Sequence, residues 1–307
     1  MFLFKIAFDF LDYQYLGVNK DAQITTKETT QFSPVVFSHG LSANIHVYSL
    51  HLKEWASNGF IVFSIDHDEV VRLDPTKIDS YEEYYRLRGL QIQDRKEIIK
   101  EVLDFIAKPS NIQNLFEDNQ VTLDLNNLFF AGHSFGGATV SELAVEDQRI
   151  TGGLLLLDPW FNPADFNTIY QPVNKPILSI RSHEYHNMEP TGDFSKKHAQ
   201  INSNNGMCLA GYFKGSFHNS FTDLVLLMPR ELILFDIIKR IDDLDEQIKE
   251  QTLLSRTFLE VISESKNVFS NQQTDDSKMN LKTRVHQRLR DNLHKINIRD
   301  VFVPDDY

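Results

Sequence analysis

Short apolar runs alternate along the chain with longer segments in which apolar residues recur at helical spacing. The short, continuous runs predict six strands, at residues 34–38, 59–65, 127–131, 153–157, 176–180 and 208–213. Between the second and third runs, residues 85–106 carry apolar side chains at the spacing of an amphipathic helix. Strands that alternate with helices predict an α/β fold with a doubly wound, mostly parallel sheet and flanking helices.

The pattern changes after Arg230. Four apolar residues form one helical stripe there: Ile237, Ile241, Leu244 and Ile248. Residues 270–278 read as a polar linker, and residues 281–296 as a basic amphipathic helix. Such a helix can contact a lipid surface, but it more often packs on the protein with its charged face in water. We therefore expect a core at residues 1–230 and a helical extension at residues 231–307, packed on the core or appended to it.

Composition narrows the class of function. Acidic residues outnumber basic ones by 43 to 31 among 307 residues, and the formal net charge is −12. This balance argues against a general affinity for nucleic acid or for a bare anionic membrane. The single cysteine, Cys208, permits no intramolecular disulfide. The oligomeric state is not set by any of these properties.

The N-terminal segment bears on location. It is apolar but carries Lys5, Asp9 and Asp12, and it lacks the pattern of a signal-peptide cleavage site. No apolar run reaches the 18 or so residues of a membrane-spanning helix. We therefore expect a cytoplasmic protein, or a secreted one if the N-terminus is incomplete.

One motif carries chemistry. Residues 127–137 read NLFFAGHSFGG, in which Gly132, Ser134 and Gly136 fit G-x-S-x-G between a predicted buried strand and a helix-compatible segment. This is the context of a nucleophile elbow, in which a serine projects from a strained strand-to-helix turn and small neighbours avoid collisions. The motif predicts that Ser134 is a nucleophile in an α/β-hydrolase fold.

A serine nucleophile needs a base and an acid to orient that base, and in this fold they follow the serine in the order acid, then histidine. Two acids follow predicted strands. Asp158 comes directly after the apolar run 153–157, and Glu184 follows the next strand. A carboxylate at the end of a fully apolar strand needs a partner, which favours Asp158 and leaves Glu184 as the alternative.

His218 is the expected base, because it lies in a short loop after the last predicted strand. His198 lies in a polar stretch and is expected to be a solvated loop residue. His183 and His186 form H-x-x-H, but this is not the H-E-x-x-H zinc motif, so an exposed pair is favoured over a metal site. We therefore expect chemistry without a metal or any other cofactor.

Backbone N–H groups must hold the oxyanion that forms on a substrate carbonyl. The residue after the nucleophile, Phe135, supplies one, and the loop after an early strand supplies the other, for which we choose Leu41. His39 in the same loop is expected to fix the loop by hydrogen bonding rather than to take part in the chemistry.

Aromatic residues flank all three predicted catalytic positions. Trp160 and Phe161 follow the acid, Phe135 follows the nucleophile, and Phe217 precedes the base. We expect them to line a pocket for an apolar part of a substrate.

These segments resemble those of a known family, the plasma and intracellular type II platelet-activating-factor acetylhydrolases. The resemblance rests on six segments in order: VVFSHGL, GFIVFSIDH, GHSFGGATV, EDQRITGGLLLLDPW, HEYH and GSFHNSF. It places the family's functional positions on Ser134 as nucleophile, Asp158 as acid, His218 as base, and Leu41 and Phe135 as backbone donors. It thereby implies that Glu184 is not the acid.

The family resemblance also implies an activity, namely calcium-independent hydrolysis of short or oxidised sn-2 acyl esters of phospholipids. A carboxylesterase or lipase of the same fold, and an inactive lipid-binding or scaffold protein, are the alternatives. Only 38 residues precede His39, fewer than in the family, so early strands are either dispensable or missing. The region after Arg230 matches no family segment, so surface-attachment features cannot be transferred.

Overall fold

A computed structural model describes residues 31–68, 78–117, 120–204, 208–227, 244–264 and 302–305, together with positions 24, 283 and 287. The strands are β1 (Gln31–Ser38), β2 (Phe60–Ile65), β3 (Thr122–Leu123), β4 (Phe129–His133), β5 (Gly153–Leu157), β6 (Ile177–Ser182), β7 (Cys208–Phe213) and β8 (Phe302–Pro304). The α-helices are α1 (Ser49–Ser57), α2 (Tyr81–Ile106), α3 (Pro109–Phe116), α4 (Phe135–Glu146), α5 (Phe166–Ile169), α6 (His183–Asn187), α7 (Thr191–Ser203), α8 (Leu224–Leu227) and α9 (Leu244–Glu264).

The strands form one sheet in the order β2-β1-β4-β5-β6-β7-β8, and β3 pairs with the start of β1. Neighbouring strands are parallel except for β7 and β8, which are antiparallel. The predicted doubly wound parallel sheet is confirmed. Because the strands are parallel, the loops after β1, β4, β5 and β7 meet at one edge of the sheet, where such folds place their sites.

The sheet is buried on both faces, as its continuous apolar strands predict. Successive residues of a strand point to opposite faces. On one face, Leu154 and Leu156 of β5 pack with residues of α2 and α4. On the other face, Leu155 and Leu157 pack with residues of α1 and α9.

Helix α9 belongs to the C-terminal region that the sequence separates from the core. It covers part of the sheet, and the Trp55 indole N–H of α1 donates to Ser255 Oγ of α9 at 2.9 Å. The buried Arg181 of β6 forms an ion pair with Asp305, next to β8. The predicted boundary at residue 230 lies outside the described residues, so the division of the chain stays a prediction.

Two other predicted features lie largely outside the described residues. The basic segment at residues 281–296 is described only at positions 283 and 287, and the N-terminal segment only at position 24. Among the helices in the described parts of the chain, none combines the length and the apolar composition needed to cross a membrane.

Candidate active site

Ser134 lies at the turn between β4 and α4, with φ 55° and ψ −118°. A non-glycine residue in this region of backbone space is strained, and the surrounding contacts must hold it there. The backbone around it supplies such contacts, because Ser134 N–H donates to the Leu157 carbonyl at 3.0 Å and Trp160 N–H donates to the Ser134 carbonyl at 2.9 Å. The turn therefore presents the hydroxyl at the end of the strand.

The two glycines of the motif are required by close approach. A Cβ atom on Gly132 would lie 2.5 Å from the backbone of Gly136, and one on Gly136 would overlap the Ser38 carbonyl oxygen. Real Cβ atoms do not come this close to backbone atoms. The absence of side chains thus lets α4 start directly above β4 and against the end of β1.

Asp158 follows β5 and is completely buried. Ser182, the last residue of β6, donates to both of its oxygens, from the backbone N–H to Oδ1 at 2.8 Å and from the hydroxyl to Oδ2 at 2.7 Å. A buried carboxylate without such partners would be costly. These two hydrogen bonds fix the orientation of the carboxylate.

His218 begins the 3₁₀ helix His218–Phe221 after β7. Its Nδ1 lies 2.7 Å from Asp158 Oδ2, and its Nε2 lies 2.9 Å from Ser134 Oγ. Because a carboxylate only accepts, Nδ1–H donates to Asp158 and leaves Nε2 free to accept the serine proton. Three side chains that are far apart in sequence are thereby connected in one hydrogen-bonded series, although their catalytic roles remain predictions.

Glu184, the alternative acid, is also close to His218 but contacts its backbone. Its Oε2 accepts the His218 backbone N–H at 2.8 Å, and its side chain is exposed. The imidazole is thus bonded to Asp158, while Glu184 anchors the start of the 3₁₀ helix.

The loop that contains Leu41 packs on the nucleophile. The Gly40 N–H donates to the Tyr48 hydroxyl at 3.0 Å, and a Cβ atom on Gly40 would lie 3.4 Å from that of Ser134. Leu41 is next in the chain, and Phe135 is the first residue of α4. Both predicted donors therefore belong to backbone that borders Ser134, and their roles as oxyanion donors stay a prediction.

His39 holds this loop in place. Its Nδ1–H donates to the Gly40 carbonyl at 2.7 Å, and its Nε2 accepts the His67 backbone N–H at 2.9 Å. Arg95 of α2 donates to the His39 carbonyl at 2.6 Å, and its guanidinium lies 4.7 Å from the centre of the Phe135 ring. The buried Arg95 thus connects the loop of His39 to α2.

His133, directly before the nucleophile, was not expected at the site. It is buried, and its ring stacks on that of His218 with centroids 4.6 Å apart. Its Nε2 lies 3.2 Å from the His218 carbonyl, so Nε2–H is the donor and Nδ1 accepts the Tyr48 hydroxyl proton at 2.9 Å. Burial, together with the neighbouring His218, lowers the pKa of His133 well below its usual range, which keeps the ring neutral.

Tyr48 connects this histidine to the loop of Leu41. Its hydroxyl accepts from Gly40 N–H and donates to His133. Burial is the main cause that raises the pKa of Tyr48 above its usual range, so the hydroxyl keeps its proton for that bond.

The predicted pocket residues lie in different surroundings. Trp160 is half-buried, and its ring centre lies 6.0 Å from Phe135 and 6.5 Å from Tyr84 of α2. Phe217 is partly exposed beside His218, whereas Phe161 is completely buried in the core. Whether these three residues contact a substrate stays a prediction.

A cavity of about 320 Å³ lies at the start of α2. Its lining consists of Ile78, Asp79, Ser80, Tyr81 and Tyr84. The ring of Tyr84, one of these residues, also neighbours Trp160. The sequence gives only a weak indication of this cavity. The aromatic residues at the start of α2 lie outside the apolar stripe of that helix, so the stripe does not assign them to the core.

His183 and His186 were expected as an exposed pair, but both are half-buried on α6 and contact neighbouring residues. His183 Nδ1 accepts the Gly215 N–H at 3.1 Å, and the His186 ring stacks on Tyr212 at 3.9 Å. Among the residues that the structure describes, no group of three or more His, Cys, Asp or Glu side chains could hold a metal. His198 was expected in a solvated loop, and that expectation is wrong, because it is buried on α7, where desolvation lowers its pKa to about 4.

Comparison with known proteins gives a family match. The sequence matches the family described as "Platelet-activating factor acetylhydrolase, isoform II" over residues 3–74 and 73–285. A platelet-activating factor acetylhydrolase of Gallus gallus is 30% identical over an alignment of 269 residues, and the match covers 76% of this chain and 63% of that protein. One of Cavia porcellus is 28% identical over an alignment of 222 residues, and the match covers 64% of this chain and 50% of that protein. The chain thus spans about half to two thirds of the length of these relatives.

Among solved structures, a ferulic acid esterase from Streptomyces cinnamoneus is similar, with a TM-score of 0.54. The match covers 81% of this chain and 73% of that one at 17% sequence identity. At this identity the likeness supports the fold alone, and it agrees with the α/β-hydrolase fold predicted from the G-x-S-x-G motif.

Proposed function

The chain belongs to the platelet-activating factor acetylhydrolase family, isoform II, and from this membership we propose that it is a serine esterase that hydrolyses short or oxidised sn-2 acyl esters of phospholipids without calcium. The observation that carries the proposal is the hydrogen-bonded series from Asp158 through His218 to Ser134. This series has the geometry that acyl transfer to a serine requires.

In the proposed mechanism, Ser134 Oγ attacks the ester carbonyl carbon while its proton passes to Nε2 of His218. The Asp158 carboxylate keeps Nδ1–H directed at itself and stabilises the imidazolium that forms. The N–H groups of Leu41 and Phe135 stabilise the negative charge on the carbonyl oxygen.

The tetrahedral intermediate then collapses. The bond between the carbonyl carbon and the glycerol oxygen breaks, and that oxygen takes the proton from His218, so that the lysophospholipid leaves. In the second half, His218 takes a proton from water, the resulting hydroxide attacks the acyl group on Ser134, and the carboxylic acid is released as Ser134 regains its proton. Water is the only co-substrate.

The length of the sn-2 chain provides the test of the substrate class. Each added methylene gains about 0.8 kcal/mol on burial, so an open apolar pocket would favour long chains. We expect the opposite, because the half-buried Trp160 ring, which lies beside the fully buried Phe135 ring, closes a short acyl site. Rates on phosphatidylcholines with sn-2 chains from acetyl upwards, each kept below its aggregation limit, should fall as the chain grows.

Two variants sharpen this test. Trp160→Ala should weaken the preference for acetyl, whereas Phe166→Ala, which removes a partly exposed ring that stacks on Tyr170, should leave it unchanged. Rates that rise with chain length, or increase sharply when the substrate aggregates, would indicate an interfacial lipase. Cleavage of simple esters with no cleavage of any phospholipid would indicate a carboxylesterase instead.

Treatment with a chelator tests the proposed independence from calcium. Each step uses a serine, a histidine, a carboxylate and backbone N–H groups, so no electrophilic cation is needed. Hydrolysis of a short-chain phosphatidylcholine should therefore proceed at an unchanged rate in excess EDTA. A loss of rate that added calcium or zinc restores would contradict the mechanism.

A further inference from the structure

The imidazole of His218 lies between two aromatic rings. On one side the Tyr185 ring is nearly parallel to it, with centroids 4.1 Å apart and an interplanar angle of 10°. On the other side the His133 ring lies at 4.6 Å with an angle of 28°. Both faces of the imidazole are thus covered, and only its edge atoms remain available for hydrogen bonds.

The Tyr185 ring is held over His218 by the same groups that hold the acid. Tyr185 lies in the short helix α6, whose N-cap is Ser182. The Ser182 hydroxyl accepts the Tyr185 N–H at 3.0 Å and donates to Asp158 Oδ2 at 2.7 Å. Glu184, the preceding residue, accepts the His218 backbone N–H at 2.8 Å. Helix α6 and its N-cap therefore contact the Asp158 carboxylate, the His218 ring and the His218 backbone.

Two properties of this arrangement matter for proton transfer. The imidazole must keep Nε2 directed first at Ser134 and then at the leaving oxygen, and rings on both faces oppose its rotation out of that plane. When the imidazole becomes a cation, the face of a tyrosine ring at about 4 Å stabilises it through the ring quadrupole. The neutral His133 on the opposite side adds no repelling charge.

We propose that Tyr185 is a positioning residue for the base, whose ring holds the His218 imidazole against His133 and stabilises its cationic form during acyl transfer. The inference rests on the proposed function, because it needs Ser134 and His218 to be the reacting pair.

The Tyr185 hydroxyl is a separate contribution that must be distinguished from the ring. Burial, with the Asp158 and Glu184 carboxylates, raises its pKa above the usual range, while a hydrogen bond with the Ser134 side chain acts in the opposite direction. The hydroxyl is therefore protonated at neutral pH. Tyr185→Phe removes this contact and keeps the ring, whereas Tyr185→Leu removes both.

The test measures kcat and KM of these two variants on p-nitrophenyl acetate, a simple ester that does not depend on phospholipid recognition. Tyr185→Leu should lower kcat by about 10- to 100-fold with little change in KM, because the ring acts on the transition state and not on substrate binding. Tyr185→Phe should stay within about fivefold of the wild type.

Tyr212→Leu is the matched control. Tyr212 stacks on His183 and His186 of α6, at 5.7 and 3.9 Å, so its loss loosens the same helix without uncovering His218. It should leave kcat unchanged. Thermal unfolding of each variant separates lost activity from lost structure, and Tyr185→Gln, a second non-aromatic substitution with a polar side chain, replaces the leucine variant if that variant does not fold.

Three outcomes would overturn the inference: wild-type kcat in Tyr185→Leu or Tyr185→Gln, an equal loss in Tyr185→Phe, or an equal loss in Tyr212→Leu. Failure of the proposed function gives a different result. In that case the wild-type protein itself would neither cleave p-nitrophenyl acetate nor react with a fluorophosphonate at Ser134.

Discussion

Replacement of Ser134 or of His218 by alanine is expected to lower turnover by about four to six orders of magnitude, because the groups of a catalytic triad act as a unit. The serine variant has no nucleophile, and the histidine variant has no acceptor for the serine proton. The residual rate should be similar in the two single variants and in the double variant. Turnover on p-nitrophenyl acetate and on a short-chain phosphatidylcholine would measure it.

Ser141→Ala provides a matched control. Ser141 is a buried serine of α4, and its hydroxyl donates to the Gly137 carbonyl within the same helix at 2.8 Å. Its loss should affect stability but not turnover. A folded Ser134→Ala variant that keeps more than about one hundredth of the wild-type rate would show that another group performs the attack.

Replacement of Asp158 by asparagine is expected to lower turnover by about four orders of magnitude. An amide N–H₂ facing His218 favours the imidazole tautomer with its proton on Nε2, which cannot accept a proton from Ser134. It also leaves the two Ser182 donors with a single acceptor oxygen in a fully buried position. The rate of fluorophosphonate labelling of Ser134 should fall with turnover.

Glu184→Gln is the companion variant. A glutamine oxygen can still accept the His218 backbone N–H, and the side chain is exposed, so we expect a loss of less than about tenfold. The assignment of the acid would be wrong if this variant, in folded form, were as slow as Asp158→Asn.

Local pattern predicts much of this fold. The run 153–157 is apolar at every position, and it forms β5 with the predicted bounds. Helix α2 begins at Tyr81, four residues before the predicted start, because the Ser80 hydroxyl accepts the Glu83 N–H and caps a first turn that has no apolar periodicity. Strand register and end residues depend on such caps and neighbours, and less on the apolar pattern.

The predicted triad residues could be found because a motif fixes one of them and the order of strands fixes the others. No such signal marks His133, Tyr48 or Tyr185. The first two are 85 residues apart, and their hydrogen bond exists only because β4 and the loop after β1 end at the same edge of the sheet. Short-range periodicity contains no information about which side chains meet across that edge.

Strand β8 was not expected for the same reason. It has three residues, Phe302–Pro304, and lies beside β7 through antiparallel pairing, with Asp305 next to the buried Arg181. Three residues are too few to show alternation. Arg181 indicates a contact with another segment better than the β8 residues do, because a cation within an apolar strand requires an anionic partner from elsewhere in the chain.

The glycines around the nucleophile bear on how this protein can be re-engineered. Gly136 leaves no room beside the carbonyl oxygens of Ser38 and His39, and Gly137 leaves little beside Pro159. At these glycines the backbone of the nucleophile turn contacts the loop after β1 and the loop after β5 directly, with no space for a side chain. We therefore expect substitutions of these glycines to be absent from any set of variants selected for folding. Tolerance to mutation, and with it the capacity to evolve a new acyl preference, should be concentrated at Trp160 and the first turn of α2, where partly exposed rings can change size without moving the backbone.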